Sequence, residues 1–283
     1  MTGAIAFAGE PGAFAEDAVL AAFGDAPRVG VAGFREVFDA VARGQAAAGV
    51  LPIENSVNGS VREVYDLLLE HGLAIVAEVV VPVELCLAAL KGQTIEGIER
   101  VYSHIQALGQ SERFLRGRPW TLLTTYNTAG SGRLIAERAE HGAAAVLSPR
   151  AAEVFGLQVL AEHIQDVPDN RTRFIVVAPA GSQASDLGVR VAAGGPSRTT
   201  LAFAVRNEPG TLLAALRCFA NRGVNLSNLE SRPSRSVAWE YVFWADLDAD
   251  AESPEAAAAL ADLRAVSTIV RVLGSYRRAA ARA

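Results

Sequence analysis

The chain is short of cysteine, histidine, basic charge and long apolar runs, and each shortage excludes a class of protein. Its two cysteines, Cys86 and Cys218, lie far apart in apolar surroundings. That excludes a disulfide framework and suits a reducing cytoplasm. The four histidines, His71, His104, His141 and His163, form no HxxxH or similar pair, so no dedicated metal site is expected. No apolar run reaches the roughly 18 residues that cross a bilayer. The opening Met1-Thr2-Gly3-Ala4-Ile5-Ala6-Phe7 has no basic segment ahead of an apolar stretch and reads as a first strand rather than a secretory signal. With 26 basic and 31 acidic residues the net charge is -5, unlike a chain that grips nucleic acid by neutralising phosphates. There is no GxxxxGK[ST] loop, and the glycines of Gly9-Glu10-Pro11-Gly12 are wrongly spaced for a dinucleotide fingerprint.

Hydrophobic residues make up 51% of the 283, enough for a sizeable core and for about two domains. Short apolar runs alternate with helical patterns from residue 4 to about 178. Ile5–Ala8, Val29–Val31, Gly49–Ile53 and Leu73–Val81 read as strands, and Phe14–Phe23, Phe34–Arg43 and Val61–His71 as helices. The alternation continues through strand Cys86–Leu90, strand Val101–His104, helix Gln106–Leu115, strand Trp120–Thr125, helix Ala129–His141 and strand Ala144–Leu147. Helix Arg150–Phe155 and strand Phe174–Val177 complete it. This order predicts α/β layering around a mostly parallel sheet.

Residues 179–197, rich in Gly, Ser, Ala and Pro, read as a linker. From about Arg198 the order is strand, helix, strand, strand, helix, strand, the ferredoxin-like βαββαβ arrangement. Its strands are expected at Thr199–Val205, Val224–Leu229, Ala238–Asp246 and Thr268–Leu273. Its first helix places Leu212, Leu213, Leu216 and Phe219 on one side, and Pro254–Val266 is the second helix.

Three loops gather polar groups near strand ends. Pro52-Ile53-Glu54-Asn55-Ser56-Val57-Asn58-Gly59-Ser60 joins a buried strand to a helix, and Ser60 with Glu63 fits a capping box. It reads equally as an anion-binding helix start or as a capped turn. Tyr102-Ser103-His104 precedes a helix on which Gln106 and Gln110 share a face. His104 reads as structural or catalytic, and Gln110 as a ligand contact or a solvated side chain. Asn170-Arg171-Thr172-Arg173-Phe174 sets two arginines where a polar loop meets an apolar strand. Arginine favours bidentate carboxylate binding; the alternative is a strand-edge threonine between solvated arginines.

Together these segments resemble the prephenate dehydratase family followed by an ACT regulatory domain. The resemblance rests on Gly9-Glu10-Pro11-Gly12-Ala13-Phe14, Pro52-Ile53-Glu54-Asn55-Ser56, Tyr102-Ser103-His104 with Gln110, Asn127-Thr128-Ala129, and Asn170 with Thr172-Arg173-Phe174. In the C-terminal unit, Pro209-Gly210-Thr211-Leu212 stands where the family has its GALV segment, and Glu230-Ser231-Arg232-Pro233 matches its ESRP segment. Ala15, Asn127 and Thr211 depart from the usual serine, serine and alanine.

The resemblance implies a two-lobed, periplasmic-binding-protein-like catalytic domain over 1–178, with lobes of about 1–78 plus 167–178 and about 79–166. A linker at 179–197 and a ferredoxin-like ACT domain at 198–283 follow. It implies decarboxylating dehydration of prephenate to phenylpyruvate, water and carbon dioxide, without metal or organic cofactor. Thr172, Asn55, Gln110 and Ser103 take the catalytic positions. Ser56, Gly59, Arg173 and His104 contact substrate, with Arg173 either balancing a carboxylate or supporting its loop. Pro209, Gly210, Thr211, Leu212, Glu230, Ser231, Arg232 and Pro233 bind phenylalanine as effector. A cytoplasmic homodimer or homotetramer is implied, with no nucleic-acid or membrane partner. Arogenate dehydratase, a non-aromatising prephenate decarboxylase and a non-catalytic amino-acid sensor are the competing readings.

Overall fold

The computed structural model describes residues 3–190, 195–233 and 241–279. The chain forms two compact units, residues 1–71 with 79–175, and residues 72–78 with 176–283. Its first half runs β1 (Ile5–Ala8), α1 (Phe14–Phe23), β2 (Arg28–Val31), α2 (Phe34–Ala42), β3 (Ala48–Asn55), β4 (Gly59–Ser60), α3 (Arg62–His71) and β5 (Ala74–Pro82). Next come β6 (Cys86–Ala89), a 3-10 turn (Ile95–Gly97), β7 (Arg100–Ser103), α4 (Ile105–Gln110), α5 (Glu112–Leu115), β8 (Thr121–Thr124) and α6 (Thr128–Arg138). Then follow β9 (Ala143–Leu147), α7 (Pro149–Val154), β10 (Gln158–Ala161) and β11 (Arg171–Ala178).

Two sheets result. One has the order β2-β1-β3-β11-β5 with β4 folded back on β3; the other has the order β10-β6-β9-β7-β8. β1 pairs in parallel with β2 and β3, and β7 with β8 and β9, as crossover helices require. The second sheet is mixed, because β6 runs antiparallel to both β9 and β10. Every residue of β6 and β9 is buried, which explains their unbroken apolar runs. The small side chains of Ala143 and Ala145 let α6 and α7 pack close to that sheet.

The remaining elements are β12 (Ser197–Ala204), α8 (Thr211–Ala220), β13 (Leu226–Pro233), β14 (Tyr241–Leu247), α9 (Pro254–Val266) and β15 (Ile269–Arg277). Their sheet has the order β13-β14-β12-β15, with antiparallel neighbours throughout. α8 and α9 cover it through Leu201, Phe203, Phe219, Leu247, Leu260 and Leu263. Ser253 caps α9 and Pro254 occupies its first turn, where a missing N–H costs nothing. This unit also buries charge. Nη1 of Arg198 lies 2.6 Å from Oε2 of Glu78, and Nε lies 4.0 Å from Oδ2 of Asp246. Thr200 donates its hydroxyl hydrogen to Asp246, so Tyr276 is the donor in the 2.8 Å contact with Thr200.

Four expectations change. Ser60 does not cap α3: it is in β4, where it pairs with Glu54. The segment is a tight hairpin because Asn55 turns the chain back before the helix begins. The expected helix over 106–115 breaks at Ser111 into α4 and α5, where backbone torsions leave the helical region (φ -118, ψ 22). Leu213 is 54% exposed, and Ala215, Cys218 and Phe219 form the buried face of α8. The catalytic sheets are less uniformly parallel than the alternation implied. The start of the expected strand at Ala238, linker residues 191–194, and Met1 and Thr2 lie outside the described residues.

Candidate active site

β3 delivers Asn55 to its C-terminal end, and the hairpin to β4 fixes the side chain. Oδ1 of Asn55 accepts from the backbone N–H of Val57 at 3.0 Å and of Asn58 at 2.9 Å, a local turn that asparagine suits. Its Nδ2 therefore faces the neighbouring strand. It lies 2.8 Å from Oδ1 of Asn170, 2.9 Å from Oγ1 of Thr172 and 3.1 Å from the carbonyl of Arg171. Ser56 ties the hairpin to β11: its N–H donates to the Arg171 carbonyl at 2.8 Å, and its Oγ accepts from the Arg171 N–H at 2.9 Å. Two segments far apart in sequence thus present one hydrogen-bonded cluster in which Asn55, Asn170 and Thr172 are buried, with Asn55 and Thr172 facing a cavity.

That cavity measures about 920 Å³ and is lined from both sheets. Asn55, Gly59, His104, Gln110 and Thr172 reach it, with Phe14, Phe34, Tyr126 and Phe174 supplying aromatic surface. Side chains alternate along a strand, so Thr172 and Phe174 line the cavity and Arg173 does not. The Arg173 guanidinium instead pairs with Glu54 on β3, Nη2 to Oε2 at 3.0 Å. Of its two expected roles, loop support is the one this geometry provides. Ser103 also misses the cavity. It is 0% exposed and donates to the carbonyl of Val146 at 2.6 Å, holding β7 to β9. Ser56 is exposed and spent on β11.

His104 sits at the N-cap of α4, its Nδ1 accepting from the Gln106 N–H at 3.4 Å, which puts the single ring proton of the neutral imidazole on Nε2. Burial holds its imidazolium pKa below the ordinary value, so the ring is neutral at pH 7. Three helix N-termini open on the cavity: Ala13–Ala15 of α1, Gly33–Glu36 of α2 and Asn127–Ala129 of α6. The N-cap residues of the first two make no side-chain cap bond, and Glu36 brings a carboxylate to the start of α2. Asn127 caps α6, a role its amide oxygen performs as a serine would. Arg62 also lines the cavity, as does Arg35, which makes a two-point pair with Glu70. Among the described residues no three His, Cys, Asp or Glu side chains cluster as metal ligands.

The glycine-rich opening motif serves the cavity wall. A Cβ on Gly12 would lie 2.6 Å from Cα of Ala151, so the α1 and α7 starts touch only because Gly12 has none. Glu16, nearly buried, holds this loop. Burial alone would raise its carboxyl, but bonds from Arg28, the Gly12 N–H and Arg150 overcome that and hold it below the usual range. Ser148 caps α7 and donates to the Gly12 carbonyl at 2.9 Å. Tyr126 donates to Glu10 at 2.6 Å and accepts from Arg133 at 2.8 Å, joining the two sides of the cavity rim. The expected site residues omitted Asn170, Asn127, Ser148, Glu16 and Phe174. Phe174 was readable as the next residue on the Thr172 face of a strand, and Ser148-Pro149 as a helix start. No local pattern marked Glu16.

The family model for prephenate dehydratase matches residues 5–182, and that for the ACT domain matches residues 199–265. The chain belongs to the prephenate dehydratase family. It is 38% identical over 283 residues to arogenate dehydratase/prephenate dehydratase 2 of Arabidopsis thaliana, covering 96% of this chain and 72% of that one. To the bifunctional chorismate mutase/prephenate dehydratase of Aquifex aeolicus it is 36% identical, covering 97% of this chain and 74% of that one. Among solved structures, prephenate dehydratase of Arthrobacter aurescens in complex with L-Phe superposes with a TM-score of 0.86 at 34% identity, covering 99% of this chain and 91% of that one. GqqA, described as a novel type of quorum quenching acylase, also gives a TM-score of 0.86, at 32% identity over 98% of both chains. The catalytic fold is two-lobed and periplasmic-binding-protein-like, and the C-terminal fold is that of an ACT domain.

Proposed function

We propose that this prephenate dehydratase works by polarising the departing hydroxyl of prephenate with Thr172. The observation that carries the reading is the Asn55 amide donating toward Oγ1 of Thr172 at 2.9 Å on the cavity face. With an oxygen lone pair engaged, the Thr172 hydrogen is free to donate outward. In the reaction the bond from the ring to its carboxylate breaks and carbon dioxide leaves. That electron pair enters the ring and expels hydroxide from the opposite carbon. Hydroxide is a poor leaving group, so a donor at its oxygen lowers the barrier as charge develops. Threonine is too weak an acid to surrender its proton outright; it polarises the oxygen or relays a proton that completes water.

The other cavity groups suit a dianion with an apolar ring. The N-terminus of α1, with Arg62, favours the negative charge. Phe14, Phe34 and Phe174 provide surface for the ring. Gln110 and neutral His104 supply dipoles rather than a fixed counter-charge, so the ring carboxylate is not pinned as it loses its charge. An acylase would need a hydroxyl activated by an adjacent base. The cavity's His104 gives its Nδ1 to Gln106, and no described bond joins it to a cavity hydroxyl.

We further propose phenylalanine as the effector, held around Pro209–Leu212 and Glu230–Pro233, and a homo-oligomer working in the cytoplasm. The Gly210 turn (φ +87) and the exposed edge of β13 support the first, and exposed Leu229, Tyr241, Ile269 and Val272 offer apolar surface for the second. No described helix is long and apolar enough to cross a membrane. The deciding experiment is incubation with prephenate while following phenylpyruvate, with arogenate in parallel. Thr172→Ala is expected to lose most of the phenylpyruvate formation while a residual rate stays measurable; near-normal turnover in that variant overturns the assignment. Added phenylalanine should change turnover, and Gly210→Ala should weaken that response at unchanged basal rate. An unaltered response places the effector elsewhere.

A further inference from the structure

Asn170 sits two residues before Thr172 and is 2% exposed. Its Oδ1 accepts from Nδ2 of Asn55 at 2.8 Å and from Oγ of Ser56 at 3.5 Å, while its own Nδ2 has no hydrogen-bond partner. The orientation of both amides is determined by their surroundings. Two backbone N–H groups point at Oδ1 of Asn55, so only Nδ2 can face Asn170, and Asn170 must then present oxygen to it. Asn55 Nδ2 has two hydrogens and three oxygens in reach. The Arg171 carbonyl, which also accepts the Ser56 N–H at 2.8 Å, is the most distant of the three at 3.1 Å. The two N–H bonds of an amide are coplanar and rigidly splayed. Anchoring one on Asn170 therefore directs the other.

We propose that Asn170 is a positioning residue for the dehydration: by accepting one Asn55 hydrogen it aims the other at Thr172 Oγ1 and so turns the Thr172 hydroxyl hydrogen toward the substrate. The inference rests on Thr172 acting at the departing hydroxyl. A buried amide donor without a partner is unfavourable, and packing alone gives no reason to keep one at this position. What Asn170 contributes is its oxygen, at a fixed place relative to Asn55.

The test is a double-mutant cycle on the full chain, with prephenate turnover, KM and thermal unfolding measured for each variant. Asn170→Ala should lower kcat by about 10- to 100-fold, the scale of a misplaced catalytic group, with KM and melting temperature nearly unchanged. Asn170→Asp keeps the accepting oxygen and should retain most of the rate. In a Thr172→Val background, Asn170→Ala should cost less than about twofold, because both changes remove the same aimed hydrogen. Losses that multiply in the two backgrounds, or an Asp variant as slow as Ala, overturn the inference. Wild-type turnover in Thr172→Val alone overturns instead the role of Thr172. Should Asn170→Ala not fold, Asn170→Ser, too short to reach Asn55, takes its place under the same criteria.

Discussion

Nδ2 of Asn55 lies 2.9 Å from Oγ1 of Thr172, joining the end of β3 to the start of β11 across 117 residues of sequence. The direction of this bond has a consequence. Asn55→Asp keeps the shape and still accepts from Val57 and Asn58, but turns the donor into an acceptor. Thr172 would then give its hydrogen to residue 55. We expect kcat to fall about 10²- to 10³-fold, the range for losing one preorganised donor, with KM little altered. Steady-state kinetics with prephenate check this, and a kcat within threefold of wild type refutes it.

Gly12 meets Ala151 at a distance no Cβ tolerates, with φ at +83. Gly12→Ala should cost about 1–3 kcal/mol as an overpacking change and reduce turnover by displacing the starts of α1 and α7. Urea unfolding of the variant measures the first effect and prephenate turnover the second. Gly59→Ala, with φ +75 but no atom within 4 Å, is the control for torsional strain alone.

Burial lowers the His104 pKa in the folded chain. Its unfolded-state value is about 6.5, so the unfolded chain takes up the proton first as pH falls. The contribution of neutral His104 to stability is fully present above that value. It is lost progressively as pH drops from there toward the lowered folded pKa. His104→Asn retains an oxygen to cap α4 and cannot titrate. Unfolding free energy measured between pH 5 and pH 8 should therefore fall less steeply for the variant on the acid side. Parallel curves would show that His104 is not the titrating group.

Arg198 and Glu78 are both buried and paired at 2.6 Å. Removing Arg198 takes the positive charge from both Glu78 and Asp246, leaving Glu78 its bond from the Ala279 N–H. Arg198→Ala should therefore destabilise the chain by about 3–5 kcal/mol, while joint replacement by Arg198→Met and Glu78→Leu should recover part of that, the buried Asp246 still lacking its cation. Chemical denaturation of the single and double variants decides between a paired charge and a packing effect.

Much of the architecture was readable because periodicity carries it. The Phe14–Phe23 and Pro254–Val266 helices occur with the expected bounds, as do strands within a residue or two at Ile5–Ala8 and Ala143–Leu147. Strand direction was not readable: β6 is as apolar as any parallel core strand, yet it pairs antiparallel to β9. Leu213 matched a helical stripe but lies about half a turn from the face that Ala215, Cys218 and Phe219 bury. At the site, Asn55 and Thr172 were legible from their motifs. The motif around Ser103 was equally legible, but its hydroxyl is turned inward to Val146.

The order of residues carried the alternation of apolar and polar positions, the glycines at turns and the motifs that mark a family, since these depend on near neighbours along the chain. Folding alone assigned each polar head a direction. Arg173 went to Glu54, Ser103 into the sheet, and Asn170 to Asn55. Those partners are remote in sequence. Hydrogen bonds are short and directional, so which group meets which is set only once strands β3, β7 and β11 have taken their places.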